Sequence, residues 1–194
     1  MRRRRRTAVA MVVVGVIAGV GLALWFGPGE EAFREITLPL RHEDIIRQQA
    51  REKGLDPALI AAVIYQESKF RDQTSHAGAR GLMQITPATA EFIARDSGGT
   101  RFSQEDLATP QINIAYGTYY LRYLMRRYDR DTELALAAYN AGETNVDKWL
   151  REAGGADRFD PSDIPFPETR EYVRNVVDLR ADYRRHYGDE LGLR

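Results

Sequence analysis

Between Ile60 and Phe70 the chain reads IAAVIYQESKF. Ile60, Val63 and Ile64 recur at the spacing of one helix face, and at about 100° per residue Glu67 falls on that same face. Tyr65 and Gln66 point elsewhere. Asp56 suits an N-cap, and Pro57 suits the first helical position, where its missing N–H costs nothing. The same cap-then-proline signal recurs at Thr86-Pro87 and Thr109-Pro110. A helix is expected over Arg41–Lys53, stopping at Gly54, and another over Thr132–Ala141, stopping at Gly142. A last helix covers Glu168–His186, after the breaker-rich DPSDIPFP. No alternating run is long enough for a strand, although the turn-rich stretch Arg71–Gly81 has room for a small irregular piece. The pattern predicts a mainly α domain.

The first thirty residues follow a different rule. Five arginines, Arg2–Arg6, precede an uncharged run from Thr7 to Phe26. At about 1.5 Å per residue this run spans roughly 30 Å, the thickness of a bilayer's hydrocarbon core. The arginines place the N-terminus on the cytoplasmic side, and Trp25 and Phe26 fall at the far interface. A cleaved signal peptide is the competing reading, but its apolar region is shorter, and LALWFGPG offers no small-x-small site. The expectation is a single-span signal-anchor with an exported remainder. Gly15 and Gly19 form a GxxxG pair of the kind that brings two anchors together, a weak signal for a dimer. The expected organisation is a basic flank (1–6), a transmembrane helix (7–26), a linker (27–37), one domain (38–187) and a tail (188–194).

Composition narrows the chemistry. The chain's 194 residues hold 28 basic and 28 acidic side chains; without the five arginines the balance is 23 to 28, a charge of −5. A mildly acidic folded part argues against a nucleic-acid surface. There are no cysteines, and the three histidines, His42, His76 and His186, have no ligand spacing, so no metal or other cofactor is expected. No P-loop, G-x-S-x-G or G-x-G-x-x-G is present.

What remains is one carboxyl group out of place and several polar residues that interrupt apolar runs. Apolar surroundings and the negative end of a helix both disfavour the ionised form of Glu67. A carboxyl that keeps its proton near neutral pH can act as a general acid. The bland alternative is a helix-end glutamate whose head escapes to water. In GARGLMQITP the glycines let backbone approach a ligand closely, and Gln84 can donate and accept hydrogen bonds. In LALAAYNAG, Tyr139 and Asn140 emerge at the end of an alanine-rich helix. On the helix starting at Pro110, Ile112, Tyr116, Tyr119 and Tyr123 share a face; such tyrosines either pack in a core or stack on sugar rings.

Taken in order, AVIYQESKF, GARGLMQITPATA, NIAYGTYYL, ALAAYNAGE and PETREYVRNV resemble the successive motifs of the soluble lytic transglycosylase catalytic domain, the goose-type branch of lysozyme-like enzymes. The resemblance covers about Leu38 to Tyr187 and leaves the anchor outside. It implies a helical, lysozyme-like fold with a sugar-binding groove, acting on peptidoglycan glycan strands outside the cytoplasmic membrane. It implies that Glu67 is the acid and base, with Ser68 supporting its geometry. Ser75, Met83, Gln84, Tyr139 and Asn140 match positions lining the groove, and Glu168 and Tyr172 match the segment closing its far side. His76 departs from the usual small residue in that turn. A goose-type hydrolase, or an inactive peptidoglycan-binding scaffold, would share the fold.

Overall fold

A computed structural model of the chain describes residues 35–98 and 103–193. The chain divides into two units, Met1–Pro39 and Leu40–Arg194. Of the first, residues 35–37 form a helical turn; the expected span Thr7–Phe26, its arginine flank and its GxxxG pair lie outside the described residues. Among the described residues no helix is long and apolar enough to cross a membrane.

The second unit is helical: α1 (Glu43–Lys53), α2 (Pro57–Ser68), α3 (Pro87–Asp96), α4 (Pro110–Arg127), α5 (Thr132–Ala141), α6 (Glu143–Ala153) and α7 (Pro167–His186), with short 3₁₀ turns between. The three cap-then-proline starts hold. The Asp56 and Thr86 side chains accept from Ala58 N and Thr89 N, whereas the Thr109 side chain makes no cap bond. Helix α1 begins two residues later than expected, after His42 in a left-handed conformation. Helix α6 had no signal of its own, because Gly142 reads as a stop. At φ 85° it both ends α5 and opens α6 without an intervening loop. The Arg71–Gly81 stretch holds an isolated antiparallel bridge, Thr74 with Arg80, and Arg80 makes a second with Ile85 just beyond it. The tail is not loose: Leu191 is buried, and Arg47 donates to the Glu190 carbonyl.

Helix α2 corrects the amphipathic reading. Every residue from Ala58 to Ile64 is at most 2% exposed, so the helix is buried all round and has no polar face. It packs on α7 and α1, while α5 packs on α7, α4 and α6. Asp56 anchors this arrangement: beyond capping α2, it takes Arg180 at 2.6 Å and Arg184 at 2.8 Å from the end of α7. On α4 the buried face is Asn113, Ile114, Gly117, Thr118, Leu121 and Leu124, so the predicted tyrosine face is turned away from the centre and half-buried.

Gly117 lets α4 approach Met83. A Cβ there would sit 2.3 Å from the Met83 sulfur and 2.7 Å from its Cβ. Gly117→Ala therefore overpacks the core and is expected to cost about 1–3 kcal/mol, read as a lower urea midpoint. An unchanged midpoint would show that Met83 has room to move.

Candidate active site

Helix α2 ends abruptly. Lys69 and Phe70 both lie in the left-handed region, at φ 54° and 60°, which non-glycine residues enter only at a cost. Lys69 N closes on the Tyr65 carbonyl, and Phe70 turns back into the core beside Tyr183, ring centroids 6.2 Å apart. This leaves Glu67 in the last turn. The buried Ser68 hydroxyl sits 3.0 Å from the Ile64 carbonyl and 2.8 Å from the Leu82 carbonyl, pinning the helix end to the following loop.

Glu67 is half-buried, and burial pushes its pKa from 4.5 up to about 7. Its neighbour is Tyr172 of α7, whose hydroxyl donates to Glu67 Oε1 at 2.7 Å and partly opposes that shift. Burial, and then the nearby Glu67 charge, raise the pKa of Tyr172 well above the usual value, so the phenol stays a donor. With Oε1 accepting from Tyr172, the acid proton of Glu67 resides on Oε2. The arrangement is a carboxyl group poised between its protonated and ionised forms near pH 7 and held in one orientation, able to give a proton and later take one back.

The loop beside it is positioned by side chains bonded to backbone. Tyr139 at the end of α5 donates to the Met83 carbonyl at 2.8 Å. Tyr139 is also shifted upward, chiefly by burial and next by the charge of Glu67. Asn113 accepts from Met83 N at 2.8 Å and donates to the Arg80 and Leu107 carbonyls at 2.9 Å. Gln84, at φ 47°, donates to the Gly81 and Gln73 carbonyls, and Gln73 in turn donates to the Glu67 carbonyl at 3.2 Å. Asn140 accepts from Thr169 at 2.7 Å, and with Ala141, Phe166, Pro167 and Glu168 these two line a pocket of about 410 Å³.

The structure therefore joins Glu67 directly to Tyr172, ties Tyr139 to the Met83 carbonyl, and gathers Asn140 and Glu168 into one pocket. Met83 is fully buried and meets Tyr139 through its carbonyl, its side chain packing against Gly117. Ser75 is exposed and uses its polar groups to close its own turn, its Oγ accepting from Ala79 N and its N–H donating to Ala79 O. Sequence reasoning missed Gln73, Asn113 and Thr169. The signal for Asn113 was available, since it shares the α4 face of Gly117 and Leu121, where a lone polar residue must bond inward. Gln73 and Thr169 carried none.

The family model described as the transglycosylase SLT domain matches residues 44–160, which include Glu67, Tyr139 and Asn140 but not Glu168 or Tyr172. The soluble lytic murein transglycosylase of Salmonella typhimurium is 36% identical over 170 residues, covering 82% of this chain and 25% of that protein. The crystal structure of the 70 kDa soluble lytic transglycosylase from Escherichia coli superposes with a TM-score of 0.74 at 35% identity, covering 81% of this chain and 26% of that one. An inactive Glu-to-Gln mutant of lytic transglycosylase Slt from Pseudomonas aeruginosa gives 0.72 at 31% identity, covering 94% of this chain and 30% of that one. The chain thus spans about a quarter of the length of these soluble lytic murein transglycosylases.

Two measurements follow from the carboxyl's environment. Glu67 ionises near 4.5 when solvated and near 7 when folded, so between these values the folded state holds the extra proton. Stability then falls as pH rises through this window, and the full penalty is present above pH 7. Glu67→Gln removes it: unfolding in urea should show the variant more stable at pH 8 by up to about 3 kcal/mol, with the gain gone below pH 4.5. A variant no more stable at pH 8 would contradict the burial of the charge. Tyr172→Phe removes the hydrogen bond that favours the carboxylate, so the Glu67 pKa should move above 7 in a carbon-detected NMR titration; a downward move would refute the assigned bond.

Proposed function

Because the chain belongs to the transglycosylase SLT domain family, we propose that it is a lytic transglycosylase that cleaves peptidoglycan with Glu67 as its one acid and base. The observation carrying this reading is the half-buried Glu67 carboxyl, raised to about 7 and held by Tyr172. Most glycosidases place a second carboxyl group across the scissile bond; the matched motifs supply one, so the substrate must provide the rest.

Glu67 Oε2 gives its proton to the oxygen of the β-1,4 bond between N-acetylmuramic acid and N-acetylglucosamine. As that C1–O bond breaks, the muramyl 2-acetamido oxygen stabilises the cationic C1. Glu67, now ionised, removes the proton from the C6 hydroxyl of the same ring. O6 attacks C1, releases the acetamido group, and closes a 1,6-anhydro ring without consuming water. The acid is restored for the next cycle. Aligned intramolecular attack replaces the ordering of a water molecule.

The flanking side chains divide the recognition. The Tyr139 proton is committed to Met83, and the Gln84 amide protons to Gly81 and Gln73, so toward a sugar both act as acceptors. The Asn140 oxygen is taken by Thr169, which leaves its N–H₂ to donate to an N-acetyl carbonyl. Glu168, exposed on the rim of the Asn140 pocket, takes hydroxyls. Ser75, on the exposed turn that its own hydroxyl closes, completes the proposed lining. The uncharged Thr7–Phe26 run behind its arginines supports a single-pass anchor, N-terminus inside, holding the domain outside the cytoplasmic membrane.

Glu67→Gln should lose about 10²-fold or more in the clearing of purified cell walls while remaining folded. In the parent, kcat/KM should fall as pH rises through about 7, where the free acid loses its proton. Mass spectrometry should find products one water lighter than hydrolytic ones. Products of hydrolytic mass would make the enzyme a lysozyme instead, and clearing by the glutamine variant would displace Glu67 from its role.

A further inference from the structure

The room that Gly81 leaves beside its backbone is filled by a side chain of the protein. Gly81 lies at φ 77°, and a Cβ there would collide with the Asn113 amide and stand 2.6 Å from the Leu107 carbonyl. Asn113 enters from the first turn of α4 and is 1% exposed. Its Oδ1 accepts from Met83 N at 2.8 Å, and its Nδ2 spends both protons, on the Arg80 and Leu107 carbonyls.

Met83 is thereby held at both of its backbone groups by side chains from two helices. Asn113 of α4 takes the N–H, and Tyr139 of α5 takes the carbonyl. Leu82, the residue before, is tied through its carbonyl to Ser68, the neighbour of Glu67. Two residues of backbone therefore join Asn113 to the turn that carries the acid.

This clamp also decides where the Tyr139 proton goes. The Met83 carbonyl faces Tyr139 only while Met83 is fixed on its other side. Released, the carbonyl can turn away and leave the phenol free to donate elsewhere. Glu67 is the charge that acts most on Tyr139, and a carboxylate is a stronger acceptor than a carbonyl. A proton given to Glu67 would favour its ionised form and weaken it as an acid. Water admitted by a loosened loop would act in the same direction, because burial is what raises the Glu67 pKa.

We propose that Asn113 is a positioning residue for the reaction: by clamping Met83 between α4 and α5, it keeps the Tyr139 proton on the Met83 carbonyl and away from Glu67. This rests on the reading of Glu67 as the acid that acts on glycan.

The test measures kcat and KM on soluble glycan strands between about pH 5 and pH 8, for the parent, Asn113→Ala and Asn113→Asp. Each chain is assayed below its melting temperature. Asn113→Ala should lower kcat about tenfold or more, with KM within about twofold of the parent. The fall of kcat/KM, near 7 in the parent, should move to lower pH by about one unit. Asn113→Asp keeps the acceptor for Met83 N but donates only when protonated. Near pH 5 its kcat should return to within about threefold of the parent, while Asn113→Ala stays low. An unmoved pH limb overturns the positioning role, and so does an aspartate variant that fails to recover. If Asn113→Ala does not fold, the aspartate variant decides by the same two readings. If neither variant folds, Asn113 holds the fold itself and the positioning role is overturned. A parent that leaves the strands uncut would instead overturn the glycan reading of the whole site.

Discussion

A carboxyl group keeps its proton at neutral pH only where water is largely removed and no cation compensates. Helix α2 meets the first condition by being buried on every side, so that its last turn carries Glu67 into a place where charge is expensive. Meeting it requires a second helix laid over the first. Helix α7 does this in antiparallel sense, its beginning at the end of α2 through Tyr172 and its end at the beginning of α2 through Arg180 and Arg184. The ions sit at one end, on Asp56, and a neutral hydroxyl meets Glu67 at the other. Reversing these partners would put a cation beside Glu67 and return its pKa toward or below the ordinary range.

The second constraint concerns a loop. The segment between α2 and α3 has little regular structure, so its backbone groups must be satisfied by side chains, from elsewhere in the fold or from the segment itself. Ser68, Asn113, Gln84 and Tyr139 perform this role, each bonding a carbonyl or N–H of the segment. Three elements, α2, α4 and α5, thereby converge on residues 80–84. The same bonds settle which of these polar groups have a proton left to give. Rigid positioning and hydrogen-bond polarity come from one network.

The chain's similarity to much longer transglycosylases shows that this helical unit recurs as a portion of larger proteins. Within this unit the Glu67 carboxyl has its hydroxyl partner Tyr172, and the neighbouring loop has its side-chain supports. These roles depend on side chains within Leu40–Arg194.

The sequence by itself determined the helical class, because proline after a cap and glycine at a stop act locally and need no partner. It also singled out Glu67, although for an incomplete reason: the residue was read as breaking an apolar stripe, whereas α2 has no polar face for a stripe to oppose. Helix α6 escaped notice because a glycine's stop signal does not say that the next helix begins at once. Only the tertiary structure decided that Tyr172 bonds Glu67 across 105 positions, that Tyr120 and Tyr123 of α4 stack on one another, and that Met83 meets Tyr139 through its carbonyl. These outcomes depend on which helix lies on which, a matter of packing between segments distant in the chain that periodicity along any one segment does not encode.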